Sequence, residues 1–405
     1  MADRAPRRHD VDALRAFAFA ILILYHVGMY YVAGWSWHLK SAYAAEWLQL
    51  PMRFVNIWRM DLIFLVSGVA LGFLRRGSSP GGLLAQRSLR LLLPLAFGMA
   101  VVIPVQPYLQ GVANGLVEPG FGHFLLRYYS GGPWPRGAFD GWEHGVTWNH
   151  LWYLPYLWAY TVILVLLLPA LESRAGRWLR ERFVTLGGAA LIALPALPFL
   201  AWSAWLQPRF PPTHDLVHDW YLHAVYFTAF LYGHWIGTDE RLWREAMRLR
   251  HAALAVALAS FGIYLFFAAP ATREIAIVFR NLYLWSAIVA ALGYAHAHLN
   301  RPFAWLPWAT ESVYPWYMLH QTLILVLAAA LAPLAVGAVL KPILIAGGTV
   351  LGCLAITELL VRPWRWVRPL FGLKPLRVRA AAPAANASSD RRSAPDAPRP
   401  SRTSA

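Results

Sequence analysis

The sequence contains very little cysteine and few charged side chains. Its single cysteine, Cys353, lies within an apolar run, which excludes a disulfide framework and a zinc site built from cysteines. Only 14% of the residues are charged, 58% are hydrophobic, and the mean hydropathy is +0.43. These values exclude an ordinary soluble globular protein. The chain also lacks a glycine-rich phosphate-binding loop and an internal repeat.

Long hydrophobic runs are what the chain does contain. Runs of the length needed to cross a bilayer recur about ten times along the sequence. The sequence therefore predicts an all-α fold, a polytopic bundle of about ten transmembrane helices embedded in the lipid bilayer. The predicted spans lie at about 11–33, 53–74, 88–109, 148–170, 183–206, 217–237, 252–268, 274–296, 311–333 and 337–361.

Acidic residues are scarcer than basic ones, 20 against 36, so the formal net charge is +16. In a soluble protein this excess would suggest nucleic acid. Here the arginines occupy short segments between apolar runs, and we expect no nucleic-acid partner. The arginines cluster in alternate segments, which predicts that both termini are cytoplasmic. The clusters lie at 75–90, 174–182, 241–250 and 362–374.

The segments outside the apolar runs suggest how the chain is divided. Residues 1–379 are predicted to form one membrane domain. Residues 380–405 cannot bury a core and are predicted to be a disordered cytoplasmic tail. The segment 111–147 is rich in Gly, Pro and Trp and is predicted to lie outside. Its Trp134 and Trp142, with Trp148 just after it, are expected to sit in an interfacial belt or to stack on a sugar.

The first span carries charged and titratable groups where apolar ones are expected. Arg15 and His26 are eleven residues apart, so on a helix they share one face with the arginine roughly 16 Å below the histidine. An ionisable group near the middle of a bilayer costs roughly 2.5 to 3.5 kcal/mol, so such a residue usually faces a bundle interior or a water-filled cavity. We therefore expect His26 to face the bundle interior or such a cavity. The alternative is that its imidazole only forms a hydrogen bond with a hydroxyl or carbonyl group of a neighbouring helix.

Arginines mark two further candidate sites. Arg87 and Arg90 have helical spacing at the predicted cytoplasmic end of the third span. They predict either a phosphate cradle or only the inside face of the membrane. Arg59 and Asp61 lie within the second span. They either satisfy each other electrostatically, or Arg59 orients a substrate.

Polar and aromatic residues open the fourth span and line the ninth. Asn149, His150 and Trp152 suit a sugar hydroxyl at the mouth of a pocket, although such residues also anchor helices at interfaces. Tyr317 and His320 belong to a polar stripe of helical period, which marks an inward face. The histidines and aspartates at 214–223 have a spacing that could hold a metal ion, but no further ligand in the sequence completes the site, and we expect no metal.

Taken in order, these motifs resemble the acyltransferase-3 family of membrane acyltransferases, and the branch that modifies periplasmic glucans looks closest. The resemblance runs from about residue 9 to 372. The chain departs from the family pattern at Ala13, where the family has glycine, and at Leu65, which replaces one of two aromatics. The motifs are Asp12-Ala-Leu-Arg15-Ala, His26, Phe64-Leu-Val-Ser67-Gly68, Arg87-x-x-Arg90, His150-Leu-Trp-Tyr-Leu154 and Ser312-x-Tyr314-x-x-Tyr317-x-x-His320.

The resemblance implies an O-acyltransferase of the bacterial inner (cytoplasmic) membrane. It would move an acyl group, acetyl or succinyl, from cytoplasmic acyl-CoA to a hydroxyl of an extracytoplasmic glycan or glycolipid of the cell envelope. His26, with Arg15, would be catalytic, as general base or as acyl carrier. Arg87 and Arg90 would hold the phosphates of coenzyme A. The substrate site would comprise Arg59, Asn149, His150, Trp152, Tyr317 and His320. The alternative is a secondary transporter or flippase for a sugar-containing substrate, against which stands the absence of paired Gly/Pro-interrupted spans.

Overall fold

The computed structural model describes residues 8–75, 77–237 and 239–375. Within these ranges the chain is helical and forms no β-strand. The α-helices are α1 (His9–Tyr31), α2 (Gln49–Arg75), α3 (Pro80–Phe97), α4 (Val105–Ala113), α5 (Phe121–Ser130), α6 (Tyr153–Leu171), α7 (Arg174–Val184), α8 (Gly188–Ala193), α9 (Ala196–Trp205), α10 (Trp220–Ile236), α11 (Glu240–Phe266), α12 (Arg273–Leu299), α13 (Leu306–Leu331), α14 (Gly337–Ile356) and α15 (Val367–Leu370).

The predicted polytopic all-α bundle is confirmed. In the described part of the chain, nine helical stretches are long and apolar enough to cross a membrane. The remaining predicted run, 217–237, forms α10, which has 17 residues. The position of the termini relative to the membrane stays a prediction, and the predicted tail at 380–405 lies outside the described residues. The nine stretches are His9–Tyr31, Glu46–Arg75, Pro80–Val102, Asn149–Leu171, Gly188–Trp205, Glu240–Phe266, Pro270–Leu299, Leu306–Leu331 and Gly337–Val361.

Glycines bring α2 and α10 into backbone contact. Gly68 and Gly72 lie four residues apart in α2, and Gly233 in α10 lies four residues before Gly237, which directly follows that helix. A Cβ atom at Gly68 would lie 2.0 Å from the carbonyl oxygen of Phe230, and one at Gly233 would lie 1.9 Å from a carbonyl oxygen of α2. Only glycine permits such an approach, which is the packing expected of small residues at this spacing in membrane helices.

A buried ionic cluster fixes the beginning of α1. The carboxylate of Asp10 is fully buried and accepts hydrogen bonds from Arg8 at 2.7 Å and from Nδ1 of His296, on α12, at 2.7 Å. Arg8 also donates to Glu240 of α11 at 2.9 Å. Buried ionic groups that are fully paired favour one register over others more than they add stability. The cluster therefore sets the height of Arg15, which lies little more than one turn further along α1.

The α-helix of the third predicted span ends earlier than expected, at Phe97. The segment 111–147 that follows is folded. A π-helical turn, Gly98–Val102, follows α3, and the helix restarts after Pro104, which lacks the N–H needed to continue the ladder. The segment 111–147 contains α5 and a small core of its own. Trp134 is buried in that core with Arg127 over its ring at 4.1 Å, so the expected interfacial or sugar-stacking position is wrong.

Candidate active site

A large cavity lies between α1, α2, α10, α12 and α13 and is covered by residues 137–149. We call it the outer cavity, because most of the covering residues belong to the segment 111–147, which is predicted to lie outside. Its volume is about 1260 Å³, above the usual range for a small-molecule site and sufficient for a sugar with its linkage. Six of the predicted site residues line it: His26, Arg59, Asn149, His150, Trp152 and Tyr317.

The imidazole of His26 forms a hydrogen bond with the imidazole of His320. Nδ1 of His26 lies 2.8 Å from Nε2 of His320, and Nδ1 of His320 lies 2.8 Å from the carbonyl oxygen of Tyr317. A carbonyl oxygen can only accept, so Nδ1 of His320 carries a proton and its Nε2 accepts one from His26. Nε2 of His26 is then the unprotonated nitrogen of a neutral ring in the wall of the outer cavity.

His26 lies near one end of α1. It is five residues before Tyr31, the last helical residue, a distance of about 8 Å along the axis. Its depth in the bilayer stays a prediction. The indole of Trp37 lies parallel to the imidazole, with 6.4 Å between ring centres and 9° between planes. The ring of His26 is therefore held between an indole and a second imidazole.

Both ring nitrogens of His150 contact protein groups. Nε2 lies 3.1 Å from the carbonyl oxygen of Tyr317, and Nδ1 accepts from the side-chain amide of Gln106 at 3.2 Å. The oxygen of that amide accepts from Nδ2 of Asn149 at 3.0 Å. Asn149 has a φ of +42°, a left-handed backbone that costs about 1 to 3 kcal/mol and is found where surrounding contacts enforce it. His150 is thus fixed within the wall, with neither nitrogen left for a substrate.

Arg59 is a buried cation with incomplete hydrogen bonding. Its side chain is 5% exposed, and its Nε and Nη1 have no hydrogen-bond partner in the described structure. Its guanidinium covers the ring of Tyr25 at 3.6 Å, and its Nη2 contacts Asn56 at 3.4 Å. Oδ1 of Asp61 is also without a partner there, so the two groups do not neutralise each other directly. An orphaned donor of this kind is available to a ligand.

Aromatic rings line the other side of the outer cavity. The indole of Trp152 lies 4.4 Å from the ring of His214 and 5.7 Å from the ring of Tyr226. Burial lowers the pKa of His214, an effect that the nearby carboxylate of Asp219 opposes. Flat rings beside polar groups are suited to the faces and hydroxyls of a sugar.

A smaller cavity of about 450 Å³ lies towards the beginning of α1, and we call it the inner cavity. Arg15, Arg87 and Arg90 all line it. Arg87 is 8% exposed, and its Nε and Nη2 have no partner among the residues described. Arg90 is more exposed and donates from Nε to the carbonyl oxygen of Gly372 at 3.3 Å. Three guanidinium groups from α1 and α3 thus converge on a space that fits a polyanion.

The histidines and aspartates at 214–223 do not converge on one point. Asp219 is fully buried and accepts from the backbone N–H of His214 at 3.0 Å and from the hydroxyl of Tyr156 at 2.8 Å. His218 pairs instead with Asp215, at 2.6 Å. No group of three metal-ligating side chains occurs among the residues that the structure describes.

The polar network behind the wall of the outer cavity was not predicted from the sequence. Gln321 donates from Nε2 to Oε1 of Gln106 at 3.0 Å and to Nε2 of His38 at 2.9 Å. Nδ1 of His38 in turn lies 2.7 Å from Oε1 of Gln110. The available signal was the pair Gln106 and Gln110, one helical turn apart in an otherwise apolar stretch, which marks an inward face.

A family model described as an acyltransferase domain matches residues 8–358. The chain belongs to the acyltransferase-3 family. It is an integral, multi-pass membrane acyltransferase, and the prediction of an enzyme is confirmed, which removes the transporter and flippase alternative.

Curated relatives match over a short stretch only. Proteins named glucans biosynthesis protein C, from Salmonella paratyphi B, Salmonella heidelberg and Salmonella enteritidis, are 36% identical to this chain over 64 residues. The match covers 16% of this chain and 16% of each relative. No solved structure matches the chain significantly.

Proposed function

We propose that this acyltransferase moves a short acyl group from acyl-CoA in the inner cavity to a glycan hydroxyl in the outer cavity, with His26 as general base. The observation that carries the proposal is the hydrogen-bonded pair of His26 and His320, which leaves Nε2 of His26 as an acceptor in a cavity of about 1260 Å³. The enzyme acts in the inner membrane, with the inner cavity towards the cytoplasm.

The inner cavity suits coenzyme A because of its charge. The nucleotide end of coenzyme A carries several phosphates and cannot enter hydrocarbon. Arg87 offers two unpaired N–H donors, and Arg15 and Arg90 add positive charge beside it. Arg15 precedes His26 by eleven residues, about 16 Å along α1. In this proposal the phosphates stay at the arginines and the narrow pantetheine arm carries the acyl group towards His26.

The outer cavity suits a carbohydrate acceptor. Its aromatic wall, formed by Trp152 with Tyr226 and His214, offers flat surfaces for sugar rings. The unpaired donors of Arg59 would orient an acceptor oxygen or the carbonyl of the acyl group. The printed names of the matching relatives, glucans biosynthesis protein C, agree with a glucan as the class of acceptor.

The reaction needs only one proton carrier. In the proposed step the acceptor hydroxyl gives its proton to Nε2 of His26 while its oxygen bonds to the thioester carbon. The tetrahedral adduct then collapses, the C–S bond breaks, and the coenzyme A thiolate takes up the proton that His26 holds. Nε2 of His320 stabilises the imidazolium by accepting a hydrogen bond from Nδ1–H of His26 throughout, in the manner of the orienting group of a catalytic triad. His150 and Asn149 position the wall around Tyr317.

The test is transfer by purified protein. Wild-type protein with acyl-CoA and an envelope glucan should release free coenzyme A and yield an acylated glucan in mass spectrometry. His26→Ala should abolish both, whereas His251→Ala, which removes an exposed histidine that bonds to Tyr294 at 2.9 Å, should change neither. Acylation of the glucan by His26→Ala at the wild-type rate would contradict the assignment.

A further inference from the structure

The two cavities are separated by a single layer of side chains. Among the described residues, four line both cavities: Phe19, Ile63, Tyr153 and Tyr317. His26 lines the outer cavity alone, whereas Arg15, Arg87 and Arg90 line the inner cavity alone. An acyl group that starts beside the arginines therefore has to cross this layer to reach the imidazole.

Three of the four residues are held in place. The hydroxyl of Tyr317 donates to the carbonyl oxygen of His150 at 2.7 Å. The hydroxyl of Tyr153 lies 2.5 Å from Oγ of Ser67, which itself donates to the carbonyl oxygen of Ile63 at 2.9 Å. Ile63 is 3% exposed within α2. Moving any of these side chains requires breaking a buried hydrogen bond or disturbing a packed helix.

Phe19 differs from the other three. Its ring has no polar atom, is only partly buried, and meets the layer through an edge contact with Tyr317 at 5.4 Å. It lies four residues after Arg15 and seven before His26 on one face of α1, which places it about 6 Å above the arginine and 10 Å below the histidine. Phe19 can therefore change rotamer without breaking a hydrogen bond of its own side chain.

We propose that Phe19 is the movable partition between the two cavities, which the acyl-pantetheine arm displaces on its way to His26, and that its size limits which acyl groups pass. The identity of the moving group, an acyl-pantetheine arm, rests on the proposed function. The separation of the two cavities by Phe19 does not. A continuous polar passage through the bundle would let ions and protons cross the membrane, and an apolar constriction prevents this by excluding water. The partition thus closes the passage whenever no acyl chain fills it.

The first test follows accessibility and uses no substrate. Ala70 lines only the inner cavity, so Ala70→Cys in a Cys353→Ala background places one reactive thiol there. The reagent is sulfonatoethyl methanethiosulfonate, which does not cross membranes and whose negative charge suits the arginines. In oriented vesicles the thiol should react from one face only; with Phe19→Ala added it should react from both. Reaction from a single face in the Phe19→Ala protein, or from both faces with Phe19 present, would overturn the partition.

The second test follows acyl size. Transfer from acetyl-, butyryl- and hexanoyl-CoA is compared by kcat/KM. Phe19→Ala should raise the ratio of hexanoyl to acetyl transfer about tenfold, and Phe19→Trp should lower it. Phe17→Ala is the matched control, because Phe17 is 58% exposed and lines neither cavity. An unchanged ratio in both Phe19 variants would exclude size selection.

The two tests also separate this inference from the proposed function. If wild-type protein transfers no acyl group at all, the proposed function fails, but the accessibility result still decides the partition. If transfer occurs while the accessibility result is negative, the partition is wrong and the reaction stands. Phe19→Trp retains a bulky ring, so it keeps the size test informative should Phe19→Ala prove unstable.

Discussion

His26 and His320 are 294 residues apart in the chain, yet their ring nitrogens lie 2.8 Å from each other. The contact joins the first membrane helix to the thirteenth α-helix of the fold. Because Nδ1–H of His320 donates a hydrogen bond to the carbonyl oxygen of Tyr317, only one direction of hydrogen bonding satisfies the pair. This fixed direction is the basis of the first prediction.

His320→Leu should lower kcat by about 10²-fold or more, within the usual range for a group that supports general base catalysis. The Michaelis constants for donor and acceptor should change little, because His320 is fully buried and lines neither cavity. His320→Gln should recover part of the rate, since its amide oxygen can still accept from Nδ1 of His26. Steady-state kinetics with both variants is the measurement; a purely structural role would give no difference between Gln and Leu at equal folded fraction.

Arg87→Lys should raise the Michaelis constant for acyl-CoA about tenfold and leave kcat nearly unchanged. Lysine keeps the charge but loses the planar fork of donors, and phosphate binding is shared by substrate and transition state. Arg90→Lys should have a smaller effect, because Nε of Arg90 already bonds to Gly372 at 3.3 Å. Titration of acyl-CoA measures both.

The control for the arginine prediction is Arg248→Lys, at an exposed arginine that pairs with Glu245 at 2.6 Å. It should leave the Michaelis constant for acyl-CoA unchanged. An unchanged constant in the Arg87→Lys, Arg90→Lys double variant as well would mean that the pair only marks the inside face of the membrane.

Trp152→Ala should weaken acceptor binding and spare donor binding. The indole lies in the aromatic wall of the outer cavity, and loss of one ring contact should raise the Michaelis constant for the glucan about threefold to tenfold. Trp178→Ala, which removes an exposed tryptophan of α7 that lines neither cavity, is the control. A rise in the constant for acyl-CoA in place of that for the glucan would place the donor in the outer cavity.

Gly68→Ala should destabilise the protein by about 1 to 3 kcal/mol or prevent its accumulation, because the added methyl would lie 2.0 Å from a carbonyl oxygen of α10. Gly262→Ala, in α11, has nothing within 4 Å of the added atom. It should be neutral or slightly stabilising, since alanine is the better helix former. The unfolding temperatures of the two variants in detergent are compared, with size-exclusion chromatography as the readout of folded protein. Equal unfolding temperatures would refute the glycine contact.

Reporter fusions should place the C-terminus in the cytoplasm and segment 111–147 outside. The basis is the clustering of arginines in alternate segments together with an even number of spans, once α10 is counted. A C-terminus outside would reverse the proposed direction of transfer. For segment 111–147 the reporter is inserted between Gly131 and Gly132, two adjacent loop glycines of positive φ. An insertion in a loop avoids the packed core around Trp134.

Helix type and inward faces were readable from the sequence because both depend on local periodicity. The stripe that contains Arg15 and His26 and the one that contains Tyr317 and His320 were each assigned to the bundle interior. The hydrogen bond between His26 and His320 could not be predicted from the sequence, because a contact between residues 294 positions apart depends on how the helices pack. The hydrogen bonds that hold both ring nitrogens of His150 could not be predicted for the same reason: the partners Gln106 and Met318 come from other helices.

The backbone contact between α2 and α10 also bears on redesign of the enzyme. Arg59 and Tyr226 stand on these two helices, and carbonyl oxygens about 2 Å from the glycine Cβ positions leave the pair no room to slide or rotate. One half of the outer cavity is therefore a rigid template, and its side chains cannot be re-spaced by substitutions elsewhere. If the proposed acceptor binds there, substitutions that change acceptor choice should fall in the opposite half, where Trp37, Trp142 and the rest of segment 137–149 face the same space.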